Sequence, residues 1–307
     1  MCDITTDPAR AADVLARGGL VGIPTETVYG LAADAENQAA VHRVFRAKGR
    51  PTDHPLIVHL ATAEAVHDGW VAHFPESARR LADFAWPGPL TLLVPAGPRV
   101  GSWVTGGRNT VGLRVPAHPL TTEMLKLFGR GVAAPSANRF GHVSPTTVQH
   151  VLQDLGDRID LILDGGACPV GVESTIVDCT VEPVQVLRPG AITPEQIAAL
   201  LGEVGGATGP SRASGMLDSH YAPHCAVLLF DTADAAQAHV ADMHEQGARV
   251  HYFDAAADVV GAARDLYARL READEDGADA VVVLLPPATG LGHAVRDRLF
   301  KAAAPRP

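Results

Sequence analysis

Lysine is nearly missing from this chain. Of 307 residues only three are lysine: Lys48, Lys126 and Lys301. Cysteine is scarce as well, at four, and no two of Cys2, Cys168, Cys179 and Cys225 form a Cys-x-x-Cys pair, which argues against a disulfide framework or a structural zinc site. There is no basic excess. The formal net charge is -10, and residues 1–210 and 211–307 each carry -5, so bulk electrostatic attraction to nucleic acid is not favoured. No apolar run reaches the roughly 18 residues of a membrane span. The opening MCDITTDPARAADVLA lacks the basic-then-apolar order of a signal peptide. A cytoplasmic enzyme or binding protein, without membrane attachment, is expected. A Walker A sequence and a Gly-x-Ser-x-Gly elbow are absent, and no Ser/His/Asp set has a recognisable spacing.

What remains is a chain that is 47% hydrophobic and 20% charged, enough to bury a substantial core. Helical and strand patterns alternate. Helices are predicted over 7–16, 38–48, 76–85, 120–128, 146–155 and 194–201. In the fifth, Ser144 is a candidate N-cap and Pro145 the first helical residue. Strands are predicted at 20–24, 55–60, 90–95 and 110–116, at the start of GVAAPSAN (131–138), and in LILDGG, STIVDC and VQVLRPG. With more strands than helices and several short strand-to-strand connections, residues 1–201 predict a mixed, twisted α/β sheet. Residues 202–216, GEVGGATGPSRASGM, have no apolar period and read as a linker, extending to 224. Residues 225–307 repeat strand–helix units and predict a small Rossmann-like domain with a parallel sheet.

Several motifs carry polar chemistry at strand or helix ends. In FRAKGRP, Gly49 suits a left-handed helix cap and Pro51 stops the helix. Lys48 and Arg50 flank that turn. Two readings fit them: cations answering the helix dipole, or a clamp on a polyphosphate made of a point charge and a planar fork. PTETVYGL places hydroxyls, a carboxylate and a phenol at a strand end, where ligands of α/β sheets bind. The alternative is a polar turn with a helix cap. Ser136-x-Asn138 leaves a buried strand and fits either a phosphate or ribose contact, or turn chemistry. Arg114 interrupts the apolar strand GLRVP. It is either on an exposed edge face or buried with a partner. GVESTIVD and VLRPG add Glu173, Ser174 and Arg188. TGLGHAV (289–295) is only a partial dinucleotide signal. His220 and His224 are four apart, but Pro223 breaks the helix that would align them on a metal.

These motifs, in this order, resemble the YrdC/Sua family, the threonylcarbamoyl-AMP synthases, over nearly all of residues 7–200. ASGMLDSHYAPH resembles the link into the C-terminal domain of the family's longer form. The resemblance implies a YrdC-like catalytic domain and a nucleotidyltransferase that makes threonylcarbamoyl-AMP and pyrophosphate from L-threonine, bicarbonate or CO2, and ATP with Mg2+. It also implies a downstream threonylcarbamoyl-transferase complex that modifies tRNA. By resemblance, Lys48, Arg50, Ser136, Asn138, Ser144 and Arg188 hold ATP, with Lys48 and Arg50 catalytic. Thr27, Tyr29, His59, Arg114 and Ser174 line the threonine pocket, and Tyr221 folds over its mouth. Two other readings stay open: a carbamoyl-AMP-forming carbamoyltransferase relative, and an RNA-binding module.

Overall fold

The computed structural model describes residues 2–208, 213, 215 and 220–305. In chain order the N-terminal part runs β1 (Asp3–Thr5), α1 (Pro8–Ala16), β2 (Val21–Ile23), β3 (Gly30–Asp34), α2 (Gln38–Lys48), β4 (Ile57–His59), α3 (Glu76–Ala85), β5 (Leu90–Pro95), α4 (Ser102–Thr105), β6 (Thr110–Arg114), α5 (Pro119–Phe128), β7 (Val132–Ala133), α6 (Val148–Leu155), β8 (Leu161–Leu163), β9 (Thr175–Asp178), β10 (Gln185–Arg188), α7 (Pro194–Leu201) and β11 (Gly205–Gly206). The C-terminal part runs β12 (Ala226–Phe230), α8 (Ala233–Glu245), β13 (Val250–Asp254), α9 (Val259–Glu275), β14 (Ala280–Leu284) and α10 (Gly292–Ala303).

The first eleven strands form one mixed sheet in the order β1-β8-β2-β3-β7-β4-β6-β5-β9-β10-β11. Parallel pairs such as β4/β6 and β5/β9 alternate with antiparallel ones such as β2/β3 and β5/β6. The last three strands form a separate, wholly parallel sheet, β12-β14-β13, with helices as crossovers. Both architectures are those expected from the sequence.

Local chemistry sets the element ends. α2 starts where the Asn37 side chain accepts the Ala40 N–H and stops where Gly49 turns left-handed at φ +65°. Its buried face is Val41, Val44 and Phe45. α7 opens on a capping box, with Thr193 and Gln196 each accepting the other's backbone N–H. α6 begins later than predicted. Thr147, not Ser144, is its N-cap and accepts from His150 N, because Ser144 Oγ is engaged elsewhere, donating to Glu173 Oε1 at 2.6 Å. Three strands were not anticipated: β1, β3 and β11. β3 is buried along its whole length and built of small residues, so it shows no alternation. β11 lies inside the expected linker and pairs in parallel with β10, and its two glycines have no side chains to reveal it.

Helices and strands of the large sheet bury several apolar clusters. One further cluster joins the two parts. Val28, Val143 and Val172 of the first pack with Tyr221 and with Ala262, Leu266 and Tyr267 of α9 and Val295 and Leu299 of α10.

Candidate active site

A small cavity opens between the large sheet and Gly215, His220 and Tyr221. Strand ends and loops supply its walls.

The loop from β2 to β3 gives Thr25, Thr27 and Val28. Thr25 Oγ1 donates to Val28 O at 2.6 Å and lies 2.8 Å from Thr27 Oγ1, which pins the loop into a tight turn. His59 ends β4 and Arg114 ends β6, and the two are register partners across parallel strands. Arg114 sits in the middle of the sheet and is buried, so the reading that required a partner applies. Its Nη1 donates to Thr27 Oγ1 at 3.0 Å and its Nε to Gly88 O at 3.2 Å. Its Nη2 is 2.8 Å from Glu26 Oε1, close enough for an ion pair, yet not aligned as a hydrogen bond. Glu26 Oε2 is held by Ala117 N at 3.2 Å. His59 is buried beside this arginine. Burial, and then the Arg114 charge, push its pKa down to about 3, so the ring is neutral. Its Nδ1 has no partner among the described residues.

The turn after α2 gives Arg50, whose Nη2 donates to Pro55 O at 3.1 Å and whose guanidinium lies 5.7 Å from the centre of the Phe140 ring. Burial, joined by the Arg188 charge, lowers its pKa to about 10. Arg188 ends β10. Its Nε and Nη2 donate to Ser174 O at 3.0 and 2.9 Å, and Nη2 also reaches Ser174 Oγ at 3.1 Å. Ser174 Oγ is 2.8 Å from Thr91 Oγ1. Ser136 lies on a loop zipped to β3, where Leu31 N donates to Pro135 O and Ala137 N to Tyr29 O. Gly215, His220 and Tyr221 complete the enclosure. Tyr221 carries a left-handed backbone, φ +63°, uncommon for a bulky residue, and is fully buried.

The cavity therefore gathers Arg50, Ser136 and Arg188 from the predicted nucleotide set, and Thr27, His59, Arg114 and Ser174 from the predicted threonine set, with Tyr221 closing over them. Four predicted residues stand behind the lining. The Lys48 ammonium donates to Ser136 O and Asn138 O, and Asn138 Nδ2 donates to Arg139 O and His142 O. Both brace the 136–138 loop. Burial, with Arg50 nearby, pushes the Lys48 pKa well down. Tyr29 is buried and its hydroxyl donates to Gly166 O at 2.8 Å. Ser144 is bound to Glu173. Three participants were not singled out from the sequence. Glu26 partners Arg114, and an arginine in an apolar strand was the signal that such a carboxylate exists. Thr25 braces the loop. His220, discounted as half of a metal pair, lines the cavity instead; its pKa is pushed down to about 3 by burial, so it too is neutral.

Comparison with known proteins places this geometry in a family. Residues 13–190 match the Sua5/YciO/YrdC family, described as telomere recombination, and residues 192–304 match the family described as threonylcarbamoyl-AMP synthase, C-terminal domain. The threonylcarbamoyl-AMP synthase of Pyrococcus abyssi is 39% identical over 319 residues, covering 96% of this chain and 94% of its own. That of Bacillus subtilis is 39% identical over 329 residues, covering 98% and 95%. The crystal structure of P. abyssi Sua5 complexed with L-threonine superposes with a TM-score of 0.93 at 36% identity, covering 99% of this chain and 97% of that one. The chain belongs to the threonylcarbamoyl-AMP synthase family, in its two-domain form.

Proposed function

We propose that this chain makes threonylcarbamoyl-AMP and pyrophosphate from L-threonine, ATP, and CO2 or bicarbonate. The observation that carries the reading is the composition of one cavity wall. Arg50, Arg114 and Arg188 all line it, whereas Glu173, the one carboxylate among its described lining residues, is ion-paired with Arg298. That is a site for a polyanion together with a small carboxylate, and both substrates are of those kinds.

The nucleophile comes from the substrates. The threonine amine adds to CO2 and loses a proton to give a carbamate. A carbamate oxygen forms a bond to the α-phosphorus of ATP as the bond to the pyrophosphate oxygen breaks. Such a transfer needs alignment and cancelled charge more than a side-chain nucleophile. Arg114 and Thr27 receive the threonine carboxylate, with neutral His59 and Ser174 completing the pocket. Arg50 and Arg188 face the phosphates, and Ser136 presents its hydroxyl on a loop that Lys48 and Asn138 hold rigid. Tyr221 covers the mouth and keeps water from the product anhydride.

Mg2+ belongs to this reaction as the partner of ATP. Among the described residues no group of three or more His, Cys, Asp or Glu could hold a metal ion, so the ion would be carried by the phosphate oxygens. When bound it neutralises phosphate charge. Among the described residues no helix is long and apolar enough to cross a membrane. In this reading the enzyme works in the cytoplasm and hands its product to a threonylcarbamoyl-transferase complex, with weak or no direct binding of tRNA.

The test is pyrophosphate release by the pure protein with ATP, Mg2+, bicarbonate and L-threonine, each omitted in turn. Release that requires both threonine and bicarbonate is expected. Release driven by carbamoyl phosphate instead would assign the chain to the carbamoyltransferase reading, and no release at all would leave a binding module.

A further inference from the structure

The cavity is walled mainly by the N-terminal sheet, but the charge that steadies one wall comes from the last helix of the chain. Glu173 is buried at the cavity. Its Oε1 accepts from Ser144 Oγ, and its Oε2 accepts from Tyr267 Oη of α9 at 2.8 Å and from Arg298 Nε of α10 at 2.7 Å. The Arg298 side chain is 0% exposed. Its guanidinium also lies 5.5 Å from the centre of the Tyr221 ring. Three residues on, along the same face of α10, Lys301 donates to Gly215 O at 2.7 Å and its carbonyl accepts from His220 N at 3.2 Å.

The loop leading to Glu173 is seated on the C-terminal domain as well. Gly171 has φ +81°, and a Cβ there would lie 2.4 Å from Ala263 O and from Arg264 Cα of α9. The residue after Glu173 is Ser174, which takes three hydrogen bonds from Arg188. A shift of Glu173 therefore moves Ser174 and Arg188, two walls of the cavity.

An apolar pair of similar size would stabilise the interior as well as a buried ion pair does. What the ion pair adds is direction: a charged acceptor fixed between a guanidinium, a phenol and a serine hydroxyl has one orientation. We propose that Arg298 is a positioning residue for the reaction, acting through Glu173 on Ser174 and Arg188 and through its own contact on Tyr221, so that the active site is complete only when α10 is docked. The proposal rests on the functional reading above and extends it by giving the C-terminal domain a part in substrate binding.

The full chain and its Arg298→Met, Arg298→Lys and Tyr267→Phe variants are assayed for threonine- and bicarbonate-dependent pyrophosphate release, with a melting curve for each. Arg298→Met is expected to raise the KM for L-threonine about tenfold or more, with Arg298→Lys recovering part of the loss. Tyr267→Phe keeps the ring and removes one hydrogen bond to Glu173, and is expected to raise that KM about threefold while lowering the melting midpoint less than Arg298→Met does. A folded Arg298→Met with KM and kcat within about twofold of the parent overturns the proposal. So does a lowered melting midpoint with unchanged KM, since Arg298 would then be structural only. Should Arg298→Met fail to fold, the other two variants decide, and parent-like KM in both overturns it. If the parent releases no pyrophosphate, the functional reading has failed separately. Calorimetric titration with L-threonine then tests Arg298 alone, and equal or undetectable binding in parent and variants counts against it.

Discussion

The ammonium of Lys48 donates to the main-chain oxygen of Ser136, 88 positions away in sequence, so two short motifs share one cation. The same nitrogen donates to Asn138 O and lies 3.4 Å from Asn138 Oδ1. The helix end and the 136–138 loop are thus one mechanical unit, and a nucleotide held by one is held by both.

Lys48→Ala removes that unit's centre and strands buried carbonyl oxygens, at about 1–3 kcal/mol. Its melting midpoint is expected to fall along with pyrophosphate release. Arg50→Ala removes a cavity-lining cation and is expected to abolish release with a smaller loss of stability. A Lys48→Ala protein that melts like the parent would show that the loop does not depend on the ammonium.

Arg114 and Glu26 form a buried pair, at 5% and 11% side-chain exposure. Arg114→Ala leaves Glu26 charged in the interior, and Glu26→Ala does the same to Arg114, each at about 3–5 kcal/mol. The double variant is expected to cost clearly less than the sum of the two, as read from urea midpoints. Arg114→Gln is expected to raise the KM for L-threonine more than that for ATP. Additive stability costs would show that the misaligned contact carries no coupling.

Acid weakens the fold through its buried histidines. The pKa values of His59 and His220 are each pushed down to about 3 by burial, below their ordinary value of 6.5. Below pH 6.5 the unfolded chain takes up protons that the folded chain does not, so the stability these rings contribute is whole above pH 6.5 and drains as pH falls towards 3. Each is expected to lose about 1.5 kcal/mol between pH 6.5 and 5. A His59→Gln variant should show a flatter dependence of the urea midpoint on pH, and an unchanged slope would mean that His59 is protonated in the fold.

Tyr221 spends a left-handed backbone to place its ring against Tyr267, centres 5.6 Å apart, and under Arg298. Tyr221→Ala empties that place. The product is expected to hydrolyse faster in its presence and the KM for L-threonine to rise, whereas Tyr221→Phe keeps the ring and the closure. Product lifetime, followed by chromatography, checks this; equal lifetimes in parent and Tyr221→Ala would make the ring mere filling.

Where end signals were strong, the sequence could be read to the residue. Asn37 and Gly49 bracket α2, and Thr193 with Gln196 opens α7, all from residues acting on their own neighbourhood. α6 was harder because Ser144, Pro145, Thr146 and Thr147 offer three hydroxyls, and the choice fell to a tertiary partner, Glu173, which claimed Ser144. β3 escaped because a strand buried on both faces has no alternation to show. At the cavity, the fold brings together segments that the motifs named, but a motif does not say which way a side chain turns. Lys48, Asn138 and Tyr29 spend their polar atoms on carbonyl groups behind the wall, and Glu26 and Arg298 stay silent until the fold shows which cation and which carboxylate they meet.

The apolar seam of Val28, Val143 and Val172 against α9 and α10 has a consequence for biogenesis. On the ribosome, the large sheet has its strands through Arg188 while α10, ending at Ala303, is still to be made. At synthesis rates of about 5–20 residues per second, that interval lasts roughly 6–23 s. Throughout it the seam and Glu173 lack their partners on α10. In that interval the uncovered apolar seam favours aggregation, and on the proposal above the site is complete only once α10 has docked.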